Sequence, residues 1–331
     1  MNSLEFLNKL VEESKVLITG GAGFIGSHLV DVLMKLGVRV RVFDNLSSGR
    51  LENLNSWLGN PRFEFRNGDL LDVDKVFKAV EDSCIVFHLA ANPEVRSSSI
   101  NPIRHFRENV VTTLNLLEAI RKVGNVKMFI FTSSSTVYGE ANNVPTSEDY
   151  APLKPISVYG ATKLACEGLI SAYAHTFGFK AIIYRLANII GPRSKHGVVY
   201  DFVSKLRNNP KILEILGDGT QKKSYLYVTD CIKAILLGLK RPGEYVEIYN
   251  VGSDDQVDVK TIAQIVVEEM GLKQVRFIFT GGVDGGRGWK GDVKNMLLDT
   301  TKLKSLGWRP RYNSVQAVRK TVKELLTEST Q

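Results

Sequence analysis

Two hydrophobic patterns alternate along the chain. Short, continuously apolar runs occur at KVLIT (15–19), VRVRVFD (38–44), FEFRNGD (63–69), IVFHLAA (85–91), MFIFTSSS (128–135) and KAIIYRL (180–186), rich in β-branched and aromatic residues. Between most of them the apolar positions recur at helical spacing, as in Val76 to Val80, Val110 to Val123 and Tyr159 to Phe177. Runs that are apolar throughout belong to strands buried on both faces. The pattern therefore predicts an α/β fold, a doubly wound parallel sheet with helices on each side. The first dozen residues put Leu4, Leu7, Leu10 and Val11 on one helical face, which predicts a helix packed on the body.

After residue 187 the rhythm weakens. Glycine- and proline-marked loops (GPRSKHG, LGDGTQ, GGVDGGRGWKGD) separate helical segments near 198–207, 229–240, 258–270 and 314–327. The strand-like EYVEIYNVG (244–252) and the helix after it are expected to return to the main sheet. The predicted division is thus interleaved. Residues 1–186, with a return around 225–265, form the main Rossmann-type domain, and 187–224 with 266–331 form a smaller lobe over the sheet's carboxyl edge.

Composition narrows the class. The 331 residues are 44% hydrophobic and 24% charged, which excludes collagen-like, disordered and disulfide-scaffold chains. No apolar run approaches the ~18 residues of a membrane span, so no transmembrane helix is expected. The opening MNSLEFLNKLVEESK has no small-residue cleavage site after an apolar core, so no secretory signal is expected. Lysine and arginine total 43 against 35 acids, a net charge of +8, but without basic runs interleaved with aromatics. The excess reads as a solvated surface with a few cations turned toward an anionic substrate, not as a nucleic-acid partner. Cys84, Cys166 and Cys231 are odd in number and scattered. They form no disulfide framework and no metal pair, which fits a reducing, cytoplasmic setting.

The first strand runs straight into Gly20-Gly21-Ala22-Gly23-Phe24-Ile25-Gly26 and a helix. Glycines at this spacing allow a tight turn and close backbone approach to a pyrophosphate on the helix N-terminus. Asp44 ends the second strand eighteen residues past Gly26, where a carboxylate accepts from a ribose 2′-hydroxyl and repels a 2′-phosphate. That favours NAD over NADP, although Arg50 nearby could soften the preference. Asp69 ends the third run and could accept from an adenine amino group; as a strand-end turn former it would be ordinary. His88 reads as a strand-end core histidine, because no second ligand sits at metal spacing.

Tyr159 and Lys163 share a helix face at i and i+4. A free phenol titrates near about 10, and a fixed ammonium beside it is expected to bring it toward neutrality. The hydroxyl cluster Thr132-Ser133-Ser134-Ser135-Thr136 ends the preceding strand and converges with Tyr159 at the carboxyl edge.

TGGAGFIGSHLV, DNLSSGR, GDL, HLAANPEVR, SSSTVYG, KPISVYGATK and ANIIGPR together resemble the extended short-chain dehydrogenase/reductase family over residues 15 to 312. Within it they are most similar to NAD-dependent nucleotide-sugar 4-epimerases, the archaeal-type UDP-galactose 4-epimerases in particular. The resemblance implies that the main domain binds NAD and the smaller lobe a nucleotide sugar. It puts Gly20, Gly23, Phe24, Ile25 and Gly26 at the pyrophosphate, and Asp44, Asn45, Ser47 and Gly49 at the adenosine ribose. Asp69 and Leu70 would meet the adenine. Leu89, Ala90, Ala91, Asn109 and Ala187 would line the rest of the dinucleotide path. Ser134 takes the catalytic hydroxyl position, Tyr159 is the base, and Lys163 its partner and a nicotinamide-ribose ligand.

For the substrate, the resemblance implies Ser134, Ser135 and Tyr159 at the sugar. Asn188, Lys223 and Arg287 would lie at the diphosphate, backbone at Val198 and Val199 at the nucleotide, and Asp292 at a ribose hydroxyl. Two matches depart from the usual pattern: Lys223 stands where many relatives have arginine, and Arg287-Gly-Trp-Lys-Gly-Asp replaces Arg-x-Gly-Asp. Related 4,6-dehydratases carry Asp-Glu after the catalytic hydroxyl, and UDP-glucuronate decarboxylases a Glu. Here Ser135 and Thr136 follow, neither an acid near neutral pH. The implied reaction is reversible oxidation at C4 of UDP-galactose/UDP-glucose, or of an N-acetylated or uronic relative. A net dehydrogenase of a small substrate and a silent NAD-binding regulator are the remaining readings. Helices near 103–123 and 157–177 correspond to those that pair relatives into homodimers. The glycine-rich 281–288 loop is expected to be mobile until a diphosphate orders it.

Overall fold

The computed structural model describes residues 14–239 and 243–328. The expected N-terminal helix therefore lies outside the described residues. Six strands follow the apolar runs: β1 (Lys15–Thr19), β2 (Val40–Asp44), β3 (Phe63–Asn67), β4 (Ser83–His88), β5 (Met128–Ser134) and β6 (Lys180–Leu186). Four short strands come next, β7 (Asn188–Ile190), β8 (Ile212–Ile215), β9 (Lys222–Lys223) and β10 (Tyr225–Tyr227). The last four are β11 (Val246–Val251), β12 (Val257–Asp258), β13 (Arg276–Phe279) and β14 (Asn295–Met296).

The main sheet is parallel, in the order β3-β2-β1-β4-β5-β6-β11. The strand order reverses between β1 and β4, the switch point at which such sheets open a ligand crevice. Its first six strands are the expected doubly wound sheet. The seventh comes from the 244–252 run, which pairs Val246–Val251 with Ala181–Leu186.

Alternation along each strand sends side chains to two separate cores. Val16, Ile18, Ile85, Phe87, Ile130 and Ile182 pack on one face, with α1 (Phe24–Lys35) supplying Leu29, Val30 and Leu33. Leu17, Val86, Phe129, Phe131 and Ile183 pack on the other, against α2 (Val73–Val80), α4 (Thr112–Val123) and α5 (Val158–Phe177). A short helix α3 (Pro102–His105) leads into α4 through a π-helical turn at Phe106–Val111 that the apolar spacing did not foretell. Ser157 caps α5 by accepting from the Gly160 amide at 3.0 Å, and Gly178 ends it in the left-handed conformation.

The remaining helices are α6 (Val198–Asn208), α7 (Val228–Gly238), α8 (Val259–Glu269), α9 (Thr301–Ser305) and α10 (Ser314–Glu328). The small strands pair as β7 with β10, β8 with β13, and β9 between β12 and β14. No helix among the described residues is long and apolar enough to cross a membrane.

At the sheet's edge Glu64 gathers three cations: Lys15 at 2.8 Å, Arg66 at 2.5 Å and the fully buried Arg41 at 3.0 Å. Although partial burial opposes it, these partners hold the Glu64 carboxyl down to about 2. A carboxylate lowered on folding stabilises above its unfolded value and loses that contribution as pH falls through the folded one. Glu64→Gln is expected to cost about 2 kcal/mol at pH 7, since Arg41 keeps only backbone carbonyls. Denaturant titration should also show the variant losing the decline in stability that the parent undergoes from about pH 4.5 to about 2.

Candidate active site

The turn after β1 closes on itself without room for side chains. A Cβ on Gly26 would lie 2.2 Å from the Gly20 carbonyl oxygen, and one on Gly20, at φ +70°, 2.7 Å from the Ala90 amide. The N-terminus of α1 is thereby drawn against the end of β4, leaving its first amides pointing into the switch-point crevice. Asp44 is buried, its Oδ2 accepting from the Ala22 amide at 2.9 Å and its Oδ1 from the Leu46 amide at 2.8 Å. Burial pushes its carboxyl up against those two bonds, and each oxygen keeps acceptor capacity for a ribose hydroxyl.

Asp69 accepts from Asn45 Nδ2 at 2.9 Å, so the two fall side by side at the strand ends. Gly49 packs on Ala22 and Asp44, and Ser47 is exposed beside them. Leu70 and Ala187 are buried, and Leu89, Ala90 and Ala91 line the end of β4. The glycine cradle and the Asp44 carboxylate together fit a dinucleotide.

Two polar residues brace this crevice from behind. His88 is buried between Thr19 Oγ1 at 2.7 Å and Thr113 Oγ1 at 2.9 Å, and burial lowers its ring to about 3. It is a neutral core histidine, as its sequence context implied. Asn109, in the π-helical turn, accepts from the Asn92 amide at 2.8 Å and donates to Thr162 Oγ1 at 2.9 Å. It ties the loop after β4 to α5.

Ser134, Tyr159 and Lys163 come together at the ends of β5 and α5. Ser134 Oγ accepts from the Thr136 amide at 3.2 Å and from Thr136 Oγ1 at 3.0 Å, and its hydroxyl meets the Tyr159 phenol. Lys163 Nζ donates to the Thr132 carbonyl at 2.9 Å and lies 5.9 Å from the Tyr159 ring centre. One expectation is corrected here. Burial pushes the Tyr159 phenol up to about 12, only partly offset by the Ser134 bond, and lowers Lys163 to about 8. The ammonium addresses a carbonyl and the aromatic faces, so it does not by itself bring the phenol toward neutrality.

The segment after β13 reaches this edge through Gly291, where a Cβ would lie 2.8 Å from the Ile156 carbonyl oxygen just ahead of α5. Lys223 pairs with the buried Asp292 at 2.5 Å, and Arg287 with Glu140 at 2.8 Å. Asn188 donates to the Ser224 carbonyl at 3.1 Å. Val198 and Val199 open α6 ahead of its first turn bond, from the Asp201 amide to the Gly197 carbonyl. Ser135 is buried in the single turn after β5.

The 281–288 loop is hydrogen-bonded to itself and to its neighbours. Val283 and Arg287 exchange two backbone bonds, Asp218 N and Gln221 Nε2 donate to the Gly286 carbonyl, and Lys294 Nζ donates to the Gly285 carbonyl. Gly281, Gly282, Gly285 and Gly286 supply the positive φ values these turns need.

Glu167, Arg185, Glu140, Gln221 and Trp289 also belong to this region, and the sequence reading missed them; Ser133 was noted only within the hydroxyl cluster. Glu167 continues the Tyr159–Lys163 face by one more turn, and Arg185 is a charge inside an apolar strand, so spacing and context could have marked both.

The model of the NAD dependent epimerase/dehydratase family matches residues 16–252. The chain belongs to that family. A putative UDP-glucose 4-epimerase of Methanocaldococcus jannaschii is 36% identical over 93% of this chain and 97% of its own. A UDP-galactose 4-epimerase crystal structure superposes with a TM-score of 0.82 at 47% identity, covering 95% of this chain and 99% of that one. The Thermus thermophilus UDP-glucose 4-epimerase complex with NAD gives 0.82 at 33% identity, over 94% and 99%. A UDP-N-acetylglucosamine 4-epimerase from Methanobrevibacter ruminantium, bound to UDP-N-acetylmuramic acid, gives 0.83 at 31%, over 95% and 99%. The cofactor of the family is NAD, which suits the crevice described above.

A lysine lowered from 10.5 to about 8 makes folding cost more wherever it must stay charged, and stability rises with pH between those values. Lys163→Met is therefore expected to raise the thermal midpoint at pH 7 by about 2 °C. Differential scanning calorimetry should also show that the variant lacks the rise between pH 8 and 10.5.

Proposed function

We propose that this protein is a 4-epimerase of a nucleotide sugar, acting on UDP-galactose and UDP-glucose. The observation that carries the reading is the Ser134–Tyr159 hydroxyl pair beside Lys163, next to a glycine-lined crevice and without an acid at position 135 or 136. Elimination of water needs a proton donor beside the catalytic hydroxyl, and serine and threonine do not supply one near neutral pH. Proton exchange with a sugar hydroxyl needs only the phenol and its serine.

NAD, when bound, supplies a two-electron acceptor and donor for the sugar carbon and a cationic ring that favours the phenolate. Gly20, Gly23, Phe24, Ile25 and Gly26 would hold its pyrophosphate, Asp44, Asn45, Ser47 and Gly49 a ribose, and Asp69 and Leu70 its adenine. Leu89, Ala90, Ala91, Asn109 and Ala187 would flank the remainder, with Lys163 at the second ribose. Tyr159 takes the proton of the C4 hydroxyl and returns it at the end. Ser134 orders the same hydroxyl, and Ser135 closes the pocket floor.

In the second lobe Lys223 keeps two N–H groups beyond its bond to Asp292, and Arg287 keeps three of its five. With Asn188 and the α6 amides of Val198 and Val199 they would hold a diphosphate, while Asp292 takes a ribose hydroxyl. The Trp289 indole N–H and Gln221 Oε1 are buried without partners beside them, which supports a polar ligand here. Anchoring by the nucleotide leaves the sugar free to present either face. The interleaved division, with 187–224 and 266–331 as the nucleotide-sugar lobe, belongs to the same reading.

Incubation with a panel of UDP-hexoses, their N-acetyl forms and uronic acids, followed by separation of the C4 epimers, tests the reading. UDP-galactose and UDP-glucose should interconvert fastest without consuming free NAD; a faster N-acetylated or uronic pair would reassign the sugar. Tyr159→Phe should lower turnover at least ~10²-fold with NAD affinity retained. Asp44→Ala should narrow the gap between NAD and NADP affinities, measured by titration into stripped protein. Ile100, Ile103, Phe106 and Phe177 are exposed on or beside α3 and α5, which supports a homodimer through these helices. Sedimentation showing only a 36.8 kDa species at micromolar concentration would refute it.

A further inference from the structure

Ser133 sits between Thr132, which accepts from Lys163, and Ser134, which meets Tyr159, and its own hydroxyl donates to Glu167 Oε1 at 2.5 Å. Tyr159, Lys163 and Glu167 occupy successive turns of α5. One helix face therefore clasps three consecutive residues of β5. Glu167 is held in turn by Arg185, whose Nη2 donates to Oε2 at 2.8 Å and whose Nε reaches both oxygens at 3.1 and 3.2 Å. Arg185 Nη1 donates to the Tyr138 hydroxyl at 3.0 Å, and Tyr138 donates to Asn250 Oδ1 at 2.7 Å. Tyr138 closes the single turn that begins at Ser135. Ser134 is thus gripped on both sides, through Ser133 before it and Tyr138 after it.

All of these groups are buried: Ser133 is 4% exposed, Glu167 5% and Arg185 3%. A buried ion pair seldom stabilises more than an apolar packing of the same volume. What it supplies here is direction, because a bidentate guanidinium fixes the carboxylate in its plane and a charge-assisted bond fixes the serine.

We propose that Glu167 is a positioning residue for the reaction, setting Ser134 against the Tyr159 phenol by anchoring Ser133 directly and Tyr138 through Arg185. The inference rests on the reading of Ser134 and Tyr159 as the proton-handling pair. Tyr138 and Asn250 extend the same anchor to β11.

Ser133→Ala, Glu167→Gln and the double variant, as full-length NAD-bound protein, test it. Ser133→Ala removes one hydroxyl, leaves Glu167 paired with Arg185, and should fold. It is expected to lower kcat about tenfold with KM and NAD affinity unchanged, a misplacement effect. Glu167→Gln should lower kcat about 10²-fold, and the double variant should be no worse, because the loss of the charge-assisted bond to Ser133 is already part of the Glu167→Gln effect. Should Glu167→Gln not fold, Ser133→Ala decides alone.

Hydrogen exchange gives an arm independent of turnover. In Ser133→Ala the Thr136 amide, which donates to Ser134, should exchange about tenfold faster while the second half of α5 is unchanged. Unaltered kcat together with unaltered Thr136 exchange would overturn the proposal, as would additive losses in the double variant. If the parent protein epimerises no nucleotide sugar, the proposed function fails, whereas faster Thr136 exchange would still uphold the anchor and unchanged exchange would still overturn it.

Discussion

A polar row across three adjacent strands sets the register on which the catalytic edge depends. Ser133 of β5 lies opposite Arg185 of β6, and Arg185 lies opposite Asn250 of β11. All three fall on the face that is otherwise packed with Phe129, Phe131, Ala181 and Ile183. Apolar strands of a parallel sheet can slide past one another with modest loss, because every position is apolar on both faces. A slip of β6 by one residue would turn Arg185 to the opposite core and strand the buried Glu167 without its arginine, a loss of several kcal/mol. The row therefore makes one alignment of the carboxyl edge far better than its neighbours. Asn250 adds to this by donating to the carbonyls of Thr146 and Asp299, which ties in two loops from outside the sheet.

The six leading strands were legible because each is a compact apolar run, most of them separated by a helical pattern. The glycines after β1 were equally legible, since tight turns leave few chemical options. Tyr159 and Lys163 could be placed on one helix face by spacing, and the Thr132–Thr136 hydroxyl cluster at a strand end, within which the family resemblance singled out Ser134. What spacing could not carry was the electrostatic balance around Tyr159, which depends on how deeply the phenol is enclosed and on which acceptor Lys163 chooses. Composition did not show that glycines of 281–288 build hydrogen-bonded turns against Asp218 and Gln221. The π-helical turn between α3 and α4 left no mark in the apolar pattern.

The cations around the candidate substrate site are already paired. Lys223, Arg287 and Lys294 are matched one by one with Asp292, Glu140 and Asp218. An arriving anion meets cations that are already partnered, so its binding must include rearranged or shared hydrogen bonds as well as bare attraction. Such pairing also keeps the lobe from repelling itself when no anion is present. Glu140 has a second tie, accepting from the Lys294 amide at 3.1 Å, which joins the turn after β5 to the glycine-rich loop.

The π-helical turn at Phe106–Val111 has a geometric consequence. It holds one residue more than an α-turn, so the helix after it is rotated by about 100° relative to an uninterrupted one. The segment before the turn shows Ile103 and Phe106 to the outside, while the segment after it buries Leu116, Leu117 and Ile120 under the sheet. The turn works as a phase shifter between an outward and an inward apolar face. Asn109 stands at the joint, where its side chain reaches the Asn92 amide on one side and Thr162 on the other.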